Sequence, residues 1–104
     1  DRMGPAEFFA WQEGQDELYE LVGGVPVPKA MTGATKRHDR VVVNAIVAFG
    51  TKLRGGPCRP MTDDIATVME NANVRRPDLT IECGELDGSS VQSAAPVLVL
   101  DVLS

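Results

Sequence analysis

Cysteine is scarce in this chain. It has two, Cys58 and Cys83, among 104 residues. They stand far apart and form no CxxC pair, so neither a disulfide framework nor a zinc motif is indicated. Two small, reduced, mostly buried side chains are expected. Aromatic residues are few: three Phe, one Trp and one Tyr. Four of these, Phe8, Phe9, Trp11 and Tyr19, fall before residue 20, which suits a core anchor better than a platform for stacking bases. Long apolar runs are missing, and no stretch approaches the length of a membrane span. The start, Asp1 to Pro5, has no apolar stretch of signal-peptide type. A cytoplasmic location with no membrane partner is therefore the default expectation. Positive charge is also short: 10 Lys and Arg face 15 Asp and Glu, for a net −5. Avid non-specific nucleic-acid binding, which needs cations to neutralise phosphates, is not expected from that balance. Only Lys36-Arg37-His38-Asp39-Arg40 and Arg75-Arg76 form basic clusters.

The length suits one small domain, expected over residues 1–104. Pro5 fits the first position of a helix, and Glu7 sits favourably in its first turn. Phe8, Phe9 and Trp11 supply the apolar face, and Gly14 ends it. Leu18 to Val22 and Val25 to Val27 are apolar runs separated by Gly23-Gly24, a two-residue hairpin signal. Pro26 marks the second arm as an edge strand or a strand end. Residues 28–34 read as a loop. Thr35 can cap a long helix reaching about Arg54, with Val42, Ala45, Ile46, Phe49 and Leu53 at helical spacing. Gly55-Gly56-Pro57 stops it. The remainder reads as strand: 64–69, then a turn at 70–73, then the segment through Leu79-Thr80-Ile81. A loop is expected at 84–95. Val97 to Leu103 is apolar on both faces, the pattern of a central strand covered on each side.

Two carboxylates break these last strands. Asp101 lies within the apolar run, and Asp78 opens the preceding strand-like segment. A buried acid is costly unless paired, protonated or bound to a metal. Two acids on neighbouring strands therefore suggest a divalent-cation site. Glu20 shares a strand face with Leu18 and Val22, where it could equally pair with a nearby Lys or Arg. His38 stands at the start of the long helix, where it could touch a substrate phosphate, assist the acids or simply bond locally.

Five stretches, in this order, resemble the Uma-type putative restriction endonuclease family of the PD-(D/E)XK nuclease superfamily. They are Glu7-Phe8-Phe9-Ala10-Trp11 with Tyr19-Glu20-Leu21-Val22-Gly23-Gly24; Arg37-His38-Asp39-Arg40-Val41-Val42; Leu53-Arg54-Gly55-Gly56-Pro57-Cys58-Arg59; Arg76-Pro77-Asp78; and Pro96 through Ser104. The resemblance implies an α+β, restriction-endonuclease-like mixed sheet flanked by helices, here the N-terminal portion of a domain truncated after the (D/E)XK-type strand. It further implies Mg²⁺-dependent hydrolysis of DNA phosphodiesters, with Glu20, Asp78 and Asp101 as catalytic acids. Asp78 and Asp101 would hold the metal, and His38, Arg37 and Arg76 would meet the substrate. The family usually has Glu where Asp101 stands, and Leu103 occupies the place of the superfamily lysine. That lysine is expected from a following helix. The 104-residue chain is accordingly expected to be inactive alone. The alternative is a non-catalytic oligomerising or interaction domain on the same fold. In either case a homodimer or higher oligomer burying the 97–103 segment or the Phe8-Phe9-Trp11 face is expected.

Overall fold

Gly23 and Gly24 both take positive φ, +60° and +82°, as the mirror-image turn of a two-residue hairpin requires. A side chain at Gly24 would also strike Arg2, whose Cβ lies 2.7 Å from where a Cβ would stand. The glycine pair thus fixes both the hairpin and the path of the N-terminal segment across it. These features belong to a computed structural model that describes residues 2–29 and 35–103. Residues 30–34 of the expected loop, and Ser104, lie outside the described residues.

The elements follow the order α1 (Pro5–Gln12), β1 (Tyr19–Val22), β2 (Val25–Pro28), α2 (Lys36–Leu53), β3 (Cys58–Thr62), β4 (Thr67–Val68), β5 (Val74–Arg75), β6 (Leu79–Cys83) and β7 (Pro96–Leu100). The α+β class stands. The sheet differs from the expected mixed one in its strand directions. The strands form two sheets, ordered β2-β1-β5-β4 and β3-β6-β7. All the strand pairs in them are antiparallel. Among the described residues, an isolated parallel bridge joins Ala66 to Gln92.

The first sheet packs on α1. Phe8, Leu21, Ala66 and Val74 are fully buried together, with Met3, Phe9, Trp11 and Tyr19 around them. Trp11 and Tyr19 meet edge to face at 4.8 Å. The expected aromatic anchor is therefore real, and about 1.5–3 kcal/mol per buried large apolar side chain is its scale. The second sheet buries Leu79 and Ile81 and packs against α2. Thr35 caps α2 by accepting a hydrogen bond from the His38 N–H at 3.2 Å.

Besides the long connection through α2 from β2 to β3, two short crossovers join the sheets. Residues 63–66 lead from β3 to β4, and residues 76–78 lead from β5 to β6. The expected strand over 64–69 shrinks to Thr67–Val68, because the chain is changing sheets there. Likewise β7 is an edge strand rather than a covered central one. Val97 is 64% exposed, and Leu98 and Val99 are exposed as well. It ends at Leu100, so Asp101 follows the strand instead of lying inside it.

The cysteines also depart from expectation. Cys58 and Cys83 stand directly opposite in the β3–β6 register and are joined by a disulfide. The sequence separation of 25 hides this neighbourhood; the antiparallel register creates it. The pairing removes the argument for reduced thiols. No helix among the described residues is long and apolar enough to cross a membrane.

Candidate functional site

The β6–β7 register pairs Leu79 with Leu100. One step further, antiparallel geometry sets Asp78 opposite Asp101. Each aspartate carboxylate accepts a backbone N–H from the opposing segment. The Asp78 N–H donates to Asp101 Oδ1 at 3.1 Å, and the Val102 N–H donates to Asp78 Oδ2 at 2.8 Å. Side chains thus replace the ladder where the strands end. Like charges directly opposite on neighbouring strands repel. The two N–H bonds offset part of that cost, and a bound cation would offset more.

His38 completes the group from α2. Its Nε2 lies 3.1 Å from Asp78 Oδ2, and both side chains are only 13% exposed. The Thr35 cap fixes the first turn of α2 and so the place of the imidazole. Arg37 is exposed beside it. With Thr35, His38, Val41, Val102 and Leu103 it lines a hollow of about 450 Å³. This surface combines a cation with a helix N-terminus, which favours negative charge.

Glu20 is differently engaged. Its Oε2 accepts the Arg76 backbone N–H at 2.6 Å and lies 3.5 Å from Arg75 Nε. It therefore acts on the segment just before Asp78 rather than on the aspartates directly. Arg76 is turned inward and is 3% exposed. Its guanidinium donates to the carbonyls of Tyr19, at 2.9 Å, and Asp64, at 2.7 Å. Burial lowers its pKa, while Asp64, Asp63 and Glu20 raise it in part. This placement does not present Arg76 to a phosphate, contrary to expectation. The signal that failed was the adjacent Arg75-Arg76 pair: Arg75 is exposed and Arg76 is not.

A larger cleft of about 720 Å³ opens between the β4–β5 hairpin and the edge strand β7. Val68, Met69, Val97 and Val99 line it, with Arg75 and Asp101 among its polar residues. Asp101 thus joins the aspartate pair to the cleft.

The donor set can be tested for a divalent cation. Among the described residues, no group of three or more His, Cys, Asp or Glu is already arranged as a metal cage. Mg²⁺ needs less than a cage: one or two carboxylates, with water and substrate oxygens completing an octahedron. Asp78 and Asp101 each give one oxygen to a backbone N–H, which leaves a second carboxylate oxygen on each. That pair fits a Mg²⁺-type site in chemistry and number.

No curated protein and no solved structure matches the chain. The family model named Uma2, described as a putative restriction endonuclease, matches residues 5–104. The match begins at the first residue of α1 and runs past Asp101, so it takes in every element that builds the aspartate pair. The restriction-endonuclease-like α+β fold and the five sequence stretches agree with it, and the chain belongs to the Uma2 family of putative restriction endonucleases.

Proposed function

We propose that this domain is built for divalent-cation-dependent hydrolysis of DNA phosphodiesters, with Asp78 and Asp101 as the Mg²⁺ ligands. The observation that carries the reading is the pair of carboxylate-to-N–H bonds between the Asp78 and Asp101 segments at the end of the β6–β7 pair. When bound there, Mg²⁺ would supply Lewis-acid polarisation and charge neutralisation at a phosphate. His38 holds Asp78 Oδ2 in place from α2. Arg37 and the start of α2 give an adjoining phosphate a cationic seat.

The same reading assigns this 104-residue chain little activity alone. Among the described residues no lysine pairs with either aspartate. The site therefore lacks the amine that would orient attacking water or stabilise developing charge. The test uses Mn²⁺ as a probe, with free ion measured by electron paramagnetic resonance. Wild-type protein is expected to bind, and Asp78→Asn or Asp101→Asn should weaken binding by about tenfold or more, the scale of one lost charged ligand. Plasmid DNA should stay uncut above background with Mg²⁺. Absence of Mn²⁺ binding by the wild type would overturn the metal assignment. Robust cleavage, lost in Asp78→Asn, would overturn the inactivity.

A second reading is favoured by one observation, the open apolar edge of β7. On that reading the domain associates with a second copy of itself through this edge, with or without catalysis. Domain swapping is one route to such a dimer.

A further inference from the structure

Arg76 occupies an unusual place in the fold. It belongs to the three-residue crossover 76–78, by which the chain passes from the first sheet to the second. Its guanidinium reaches the Asp64 carbonyl, in the other short crossover, and the Tyr19 carbonyl, at the start of β1. One buried cation therefore clasps the two short connections between the sheets and ties them to a strand of the first. Arginine suits this task because its rigid fork can bond two acceptors at once.

The backbone of the same residue is held by Glu20 through the 2.6 Å bond from the Arg76 N–H. Next comes Pro77, whose ring fixes its own φ and confines Arg76 to extended backbone. Asp78 follows at once. Little torsional freedom separates the Glu20 anchor from the Asp78 carboxylate. The charges also agree: Glu20, Asp63 and Asp64 surround the buried guanidinium.

We infer that Glu20 and Arg76 are positioning residues, a latch across the sheet junction that sets Asp78 against Asp101, and that Glu20 is not itself a metal ligand. The inference rests on the proposed role of Asp78 and Asp101 for its functional meaning. Its structural content, that the latch places Asp78, stands apart from whether metal binds.

Amide hydrogen exchange tests that content without any metal. The Val102 N–H reports on Asp78 Oδ2, and the Asp78 N–H reports on Asp101 Oδ1. The Phe8 N–H, bonded to the Gly4 carbonyl at 3.0 Å, serves as a control within α1. In Glu20→Ala and in Arg76→Lys, exchange at Val102 and Asp78 should accelerate by about tenfold or more, the scale of a lost charge-assisted hydrogen bond. Exchange at Phe8 should not change. Glu20→Gln keeps an oxygen acceptor for the Arg76 N–H, so its exchange should stay within roughly threefold of wild type and its Mn²⁺ affinity should follow. If Glu20→Ala does not fold, Arg76→Lys and Glu20→Gln carry the comparison.

Unchanged protection at Val102 and Asp78 in Arg76→Lys would overturn the latch. Glu20→Gln losing Mn²⁺ binding as fully as Asp78→Asn, with exchange intact, would make Glu20 a direct ligand and overturn its positioning role. If wild-type protein binds no Mn²⁺, the metal reading fails alone, and the exchange data still decide the latch.

Discussion

At the scale of single residues, the site depends on short polar contacts at element ends. The Thr35 hydroxyl takes the His38 N–H, the His38 imidazole meets Asp78, and Asp78 meets the Val102 N–H. Each link places the next. Removing the first link should be felt beyond the helix end. Thr35→Ala should cost about 1 kcal/mol, the usual value of a Thr cap, seen as a lower urea midpoint with an unchanged slope. The His38 ring signals in NMR should broaden or shift as the first turn frays. Unchanged midpoint and ring signals would mean that Asp78 alone suffices to hold His38. The two aspartates themselves were legible in the sequence, because an acid beside apolar strand residues stands out. The partners of Glu20 and Arg76 were not. A strand acid with two arginines elsewhere in the chain does not say which arginine turns inward, nor that the acid bonds a backbone N–H instead of a side chain.

At the scale of elements, legibility followed local signal strength. The Gly23-Gly24 hairpin, the Pro5 helix start and the Thr35-to-Leu53 helix each carry residue-level punctuation, and each is present. β3 carries Pro60 and Arg59 and lacks an apolar alternation, so it was not distinguishable as a separate strand. β4 and β5 have two residues each, too few for any period to show. The division into two sheets was hidden for the same reason, since crossovers at 63–66 and 76–78 contain no glycine or linker-like composition. The disulfide is an element-scale fact of this kind. It arises from the register of β3 on β6, which no CxxC spacing announces. The bond closes a segment that holds both short crossovers and the β4–β5 hairpin. For a separation of 25 residues, chain-entropy reasoning gives roughly 3.5 kcal/mol of stabilisation. Reduction, or Cys58→Ala, should therefore lower Tm by roughly 14–28 °C at the usual scale for a domain of this size. Differential scanning calorimetry with and without reductant measures it. A Tm indifferent to reductant in the wild type would show that strand pairing alone sets the register.

At the scale of the whole molecule, apolar surface is distributed unevenly. The first sheet has a closed core under α1. The second sheet and α2 do not: α2 has no buried residue, Val41, Val43 and Val47 are exposed, and so are Val97, Leu98 and Val99 of β7. An edge strand of this composition, with no charge between Pro96 and Leu100, is a template for another strand. Pairing of β7 with β7 of a second copy would be isologous, with the same patch on both sides, and would add main-chain bonds to the apolar burial. The expected outcome is concentration-dependent association in sedimentation velocity over a micromolar series. Leu98→Lys places a charge on that edge. It should weaken association by about tenfold or more, since the full burial of one leucine is worth roughly 1.5–3 kcal/mol. It should leave Tm at low concentration near that of the wild type, because Leu98 is 46% exposed within one chain. Association that persists in Leu98→Lys but falls in Val47→Lys would move the interface from the strand edge to the exposed face of α2. A monomer at every concentration would remove the second reading altogether, and leave the aspartate pair as the remaining functional claim of the fold.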